Sequence, residues 1–136
     1  MNNDSDSTPP VCTFKSKSGF RRIVGATSNS LAGLATAWRI EHAFRQEVFL
    51  VVPGVLVALL LPVVSVEKLV LIGSLVLLLI VELLNSAIEA TVDRISLDRH
   101  PLSKNAKDFG SAAVMLAFLL ALAAWLIVIW PLVFGR

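Results

Sequence analysis

Apolar residues fall into three long blocks along this chain, and one set of acids and amides runs inside a block rather than between two. Before the first block, between Ser18 and about Trp38, Phe20, Ile23, Val24, Leu31, Leu34, Ala35 and Trp38 recur at helical spacing, with Arg21 and Arg22 on another face. That pattern predicts a helix lying in the membrane surface with its arginines toward anionic headgroups or phosphates, or else an amphipathic helix packed on the rest of the protein. Gly25 and Gly33 mark candidate bends. The stretch from Trp38 to Glu47 is largely polar and leads into Val48 to Val64, about 17 residues and nearly all apolar, against the roughly 20 that a span needs. A helix starting before Val48 supplies the rest, so the first span is read as about 45–64, kinked at Pro53. Ser65 to Lys68 reads as a tight turn, and a second span runs from Leu69 to about Thr91. A polar loop from Asp93 to Asp108 follows, with His100-Pro101 as a breaker. The third span covers about 111–134, and Trp125 and Trp130 toward its end fit either an interfacial aromatic belt or simple packing. The expected fold is therefore an all-α membrane protein of three transmembrane helices plus an N-terminal amphipathic surface helix. Residues 1–17 are read as a disordered polar tail and 18–136 as one integral-membrane domain.

Composition agrees, with 56% hydrophobic residues and a mean hydropathy of +0.78, well above ordinary globular usage. The net charge of +2 and pI near 9.0 do not mark a nucleic-acid binder, because the basic residues are dispersed and no nucleic-acid module is recognisable. They report topology instead. With three spans, Lys15, Lys17, Arg21, Arg22, Arg39, Arg45, Arg94, Arg99, Lys104 and Lys107 fall on one side, and only Lys68 and Arg136 on the other. By the positive-inside rule the first side is cytoplasmic. Cys12 is the single cysteine, so no intramolecular disulfide is possible. Met1 to Thr13 lacks the apolar core of a cleavable signal peptide.

The candidate chemistry lies in the second span. Glu82, Asn85, Ser86, Glu89 and Asp93 stand at offsets 0, 3, 4, 7 and 11, a single face of one α-helix. Ionisable groups in a lipid-spanning helix are costly, so this face must meet protein or water, and the chain is expected to self-associate to cover it. Glu89 lies about one turn from Asp93 and Arg94, at the cytoplasmic interface; Glu82 is seven residues further in, roughly 10 Å. A carboxylate at the wet edge suits a hard cation, and one held away from water suits the taking of a proton. On this reading Glu82 is the only acid deep enough for the second role. Glu41, at the entry of the first span, is a candidate second metal ligand. Mg²⁺ bound by one or two carboxylates commonly brings substrate phosphates with it, and Lys107 and Asp108 in the loop could bracket those phosphates or a nucleotide hydroxyl. Solvated surface charges for the loop, and packing against another helix for Glu82, are the structural alternatives.

The segment Glu82-Leu-Leu-Asn-Ser-Ala-Ile-Glu-Ala-Thr-Val-Asp-Arg94, with Ala106-Lys-Asp-Phe-Gly-Ser-Ala-Ala113 and Ala43-Phe-Arg-Gln-Glu47, resembles the small membrane-integral diacylglycerol kinases of bacteria. The resemblance covers nearly everything from Gly19 onward. It implies an inner-membrane homotrimer that transfers the γ-phosphate of ATP, with Mg²⁺, to diacylglycerol, giving phosphatidic acid for lipid recycling, with sites between subunits. This chain has no G-x-x-x-x-G-K-[ST], in keeping with that family. Carried over, the resemblance makes Glu82 the general base, and Glu41 and Glu89 the Mg²⁺ ligands. Nucleotide contacts would come from Arg22, Asn29, Glu41, Glu89, Asp98, Arg99, His100, Lys107 and Asp108. Lipid-substrate contacts would come from Trp38, Ala43, Phe44, Arg45, Gln46, Glu47, Glu82, Asn85 and Ser111. The chain departs from the family between Gly25 and Ala35, where relatives often carry basic or aromatic side chains.

Two other readings compete. Undecaprenol kinases share the acidic motif but phosphorylate a polyprenol; Ala43-Phe-Arg-Gln-Glu47 favours the diacylglycerol branch. A small oligomeric channel or proton pathway would also hold buried carboxylates, but Leu69 to Val81 offers only Gly73 and Ser74 to continue such a route.

Overall fold

The computed structural model describes residues 19–95 and 100–135, and every element among them is helical. Four helices follow in order: α1, Gly19–Ile40; α2, His42–Leu60; α3, Ser65–Ile95; and α4, Pro101–Phe134. The chain divides into two units, one ending at Gly33 and one beginning at Leu34. The first unit holds the exposed early part of α1; the second holds the end of α1 and the three helices that are long and apolar enough to cross a membrane.

Helix ends differ from the apolar blocks, for local reasons. At 1.5 Å per residue, the 31 residues of α3 and 34 of α4 span about 46 and 51 Å, longer than a hydrocarbon core of about 30 Å. Their ends therefore project as polar extensions. Ser65 to Lys68 is the first turn of α3 rather than a free turn: the Glu67 carboxylate accepts from the Val64 amide at 3.0 Å, and Lys68 Nζ donates to the Leu59 carbonyl at the end of α2 at 2.7 Å. His100-Pro101 begins α4 instead of interrupting a loop. His100 Nδ1 accepts from the Leu102 amide at 3.2 Å, and Pro101 stands in the first turn, where its missing N–H costs nothing. Lys104, Lys107 and Asp108, expected on a loop, thus lie on a helix. Pro53 is carried inside α2.

α3 is the central element, packing against α2 on one side and α4 on the other. Its buried stripe is Leu71, Ser74, Leu75, Leu78 and Glu82, the i, i+3, i+4, i+7 pattern of one helix face. Two close approaches set the packing. A Cβ at Gly54 of α2 would come within 2.7 Å of Leu75 Cδ1, and one at Gly110 of α4 would collide with the Asn85 side-chain oxygen. At the end away from the acids, Ala58, Leu71 and Val128 form a small core capped by Trp125, whose indole N–H donates to the Leu71 carbonyl at 3.3 Å. Within one chain only 17–22% of the residues in each span's most apolar stretch are buried, so most of the span surface is left to lipid or to other protein.

Candidate active site

Glu82 continues the stripe that packs α3 against its neighbours, and only 4% of it is exposed. The helical period that buries Leu71, Leu75 and Leu78 leaves the carboxyl no route to the lipid face. Around it the fold collects more acids. Glu41 at the α1–α2 junction and Glu89 of α3 are near enough for their charges to act on Glu82, and Glu82 in turn acts on Glu47 of α2. Glu47 is half-buried, and its Oε2 is enclosed with no hydrogen-bond partner among the described residues. Its sequence signal, a glutamate at the polar edge of an apolar block, does not distinguish a buried acid from a solvated one.

Asn85 and Glu89 form the next layer toward the polar end of α3. Asn85 Nδ2 donates to Glu89 Oε1 at 3.2 Å, which fixes the amide, because the reverse orientation would set two oxygens against each other. The amide oxygen then points to Gly110 and is itself enclosed without a hydrogen-bond partner among the described residues. Gly110 was not singled out from the sequence; its signal is a lone glycine in a helix facing a polar side chain. Gly110→Ala is expected to drive Asn85 off Glu89 or α4 off α3, an overpacking cost of ~1–3 kcal/mol. Turnover should fall by about tenfold or more while the helical circular dichroism stays unchanged, and a variant with full activity would show that this contact does not matter.

Beyond Glu89, Lys107 Nζ meets Asp93 Oδ1 at 2.6 Å across the α3–α4 interface, and Lys104 pairs with Asp108 along α4. Lys107 stands on the polar extension of α4, before the apolar run, where the hydrogen bond from its ammonium to Asp93 raises its pKa above the ordinary lysine value. His100 is exposed at the start of α4. Ser111 is exposed one residue beyond buried Gly110. Asp98 and Arg99 lie outside the described residues.

On the α1–α2 side, Phe44 is buried, Arg45 half-buried, and Ala43 and Gln46 exposed. Trp38 is partly exposed, with its ring 5.8 Å from that of Phe49. Arg22 and Asn29 stand exposed on α1 in the first unit. Toward the opposite face of the membrane from the Glu89 layer, an apolar cavity of about 260 Å³ lies among α2, α3 and α4, lined by Gly54, Leu75, Leu78 and Trp125 among others. Leu75 and Leu78 belong to the same stripe as Glu82, so the cavity and the buried acid share one face of α3.

A buried carboxyl between membrane-spanning helices, with further acids toward the polar end and an apolar cavity on the other side, defines an integral membrane protein built for chemistry at the bilayer edge. Residues 28–129 match the family described as prokaryotic diacylglycerol kinase, and the chain belongs to that family. It is 56% identical to the diacylglycerol kinase of Pseudomonas aeruginosa over 112 residues, 82% of this chain and 91% of that one. The Escherichia coli K12 diacylglycerol kinase is 49% identical over 112 residues, 82% and 92% of the two chains. A Helicobacter pylori diacylglycerol kinase is 38% identical over 118 residues, 87% and 85%.

Proposed function

We propose that the chain transfers the γ-phosphate of ATP to the free hydroxyl of 1,2-diacylglycerol, giving phosphatidic acid, with Glu82 as the base. Glu82 carries the reading: it is buried on the packed face of α3, with an apolar cavity toward one side and the Glu89 layer toward the other. A diacylglycerol headgroup at Glu82 can send an acyl chain into that cavity. Glu82 takes the proton from the lipid hydroxyl as the oxygen attacks phosphorus, and ADP leaves. Asn85, fixed by Glu89, orients the reacting groups from one turn away.

Glu41 and Glu89 are the residues that would hold Mg²⁺. Hard carboxylate oxygens fit this cation, and Asn85 occupies only Oε1 of Glu89. Two carboxylates are as many as Mg²⁺ commonly takes from protein, and phosphate and water oxygens would supply its other ligands. When bound, Mg²⁺ neutralises charge on the transferred phosphate. Lys107 and Asp108 reach the nucleotide by leaving Asp93 and Lys104, respectively; the family resemblance, not the structure, is what implies further nucleotide contacts from Arg22, Asn29, Asp98, Arg99 and His100.

The charge asymmetry assigns the N-terminal region and the α3–α4 connection to the cytoplasmic side of a bacterial inner membrane. The small buried share of each span supports a homo-oligomer, which we take as a trimer with sites shared between subunits. Purified protein in lipid micelles with labelled ATP should label diacylglycerol and leave undecaprenol unlabelled. Equal label on both lipids would undo the substrate assignment, and label on neither would return the channel reading.

A further inference from the structure

Glu41 is the one residue between α1 and α2, and its backbone is extended, with φ −94° and ψ 114°. The Glu41 N–H still donates to the Ala37 carbonyl at 2.9 Å, but the break leaves the Trp38 and Arg39 carbonyls without helical backbone partners. Glu41 occupies the N-cap position of α2, yet its side chain makes no capping hydrogen bond. A glutamate is a poor N-cap, and here the carboxylate is left available for other work.

The break is closed from the other side by Arg45. Its Nη1 donates to the carbonyls of Trp38 at 2.9 Å and Arg39 at 3.1 Å, two carbonyls of the last turn of α1. One guanidinium nitrogen thus ties the end of α1 to the first turn of α2 directly across Glu41. The Trp38 and Phe49 rings, 5.8 Å apart, and the buried Ala37 and Phe44 brace the same corner. A planar, permanently charged group suits this task, because it satisfies two carbonyls at once and cannot be discharged. A freely swivelling corner would leave Glu41 without a defined position relative to Glu82, which lies within electrostatic range of it. Ligand geometry tolerates only small errors of this kind.

We infer that Arg45 is a positioning residue for Glu41: its guanidinium locks the α1–α2 corner, and through that corner holds the Glu41 carboxylate toward the acids of α3. This rests on the reading of Glu41 as an Mg²⁺ ligand. Its role is thereby separated from contact with the lipid headgroup, which the neighbouring motif residues would make.

The test is a cycle of E41Q, R45A and E41Q/R45A, with R45K beside it, in micelles with KM measured separately for MgATP and diacylglycerol. R45A should raise the MgATP KM by about tenfold or more, the scale of a lost charge-assisted hydrogen bond, and leave the diacylglycerol KM near its starting value. R45K should recover part of the loss, since an ammonium keeps the charge and the donors but sits on a differently shaped stem that does not place them where Nη1 stands. R45A should add little to E41Q, because both changes remove the same placed carboxylate. Additive losses would overturn the positioning role, and so would a rise in diacylglycerol KM with unchanged MgATP KM. Unchanged MgATP affinity in E41Q would overturn the ligand reading itself, and the positioning role with it.

Discussion

Glu82→Gln is expected to lower kcat by at least about 10²-fold while MgATP still binds, because the change removes a general base and leaves the nucleotide contacts in place. Lipid hydroxyls hold their protons at pH values far above 7, so the attacking oxygen needs an acceptor within hydrogen-bond reach at membrane depth. Glu82 meets that need by burial on the packed face of α3. Glutamine keeps the shape and removes the acceptor for a proton. The measurement pairs turnover with isothermal titration of a non-hydrolysable ATP analogue. Glu47 is the internal control, since it is also enclosed and lies within range of Glu82. A Glu82→Gln protein that turns over normally would pass the role to Glu47.

Glu89→Gln is expected to fail differently. Its carboxylate has Asn85 on one oxygen, and losing the charge removes both a cation ligand and the acceptor that orients the Asn85 amide. Binding of the metal-nucleotide complex should weaken by about 10–100-fold, and part of the lost rate should return at high Mg²⁺. The same titration reads this directly. If Glu89→Gln kept nucleotide binding while Glu82→Gln lost it, the two roles would be exchanged.

Most of the architecture is legible along the chain, because a bilayer imposes one-dimensional rules. The apolar runs locate three spans, and the spacing of Glu82, Asn85, Ser86 and Glu89 places them on one face of a helix, since both depend only on rise and period. Burial of Glu82 follows from the same period, as it prolongs the row of Leu71, Leu75 and Leu78. The helix ends escape such rules. A hydropathy reading stops where apolar residues stop, whereas α4 begins ten residues before Ser111 because His100 and Pro101 form a cap and a first turn. Which helices touch, and at what rotation, is decided only by packing. The nearness of Glu47 to Glu82, within electrostatic range, the seating of Gly110 on Asn85, the Lys107–Asp93 pair and the hold of Arg45 on α1 all join residues whose separation in sequence does not give their separation in space. Each depends on helix crossings and corners set by small residues and side-chain shape, which no local period encodes.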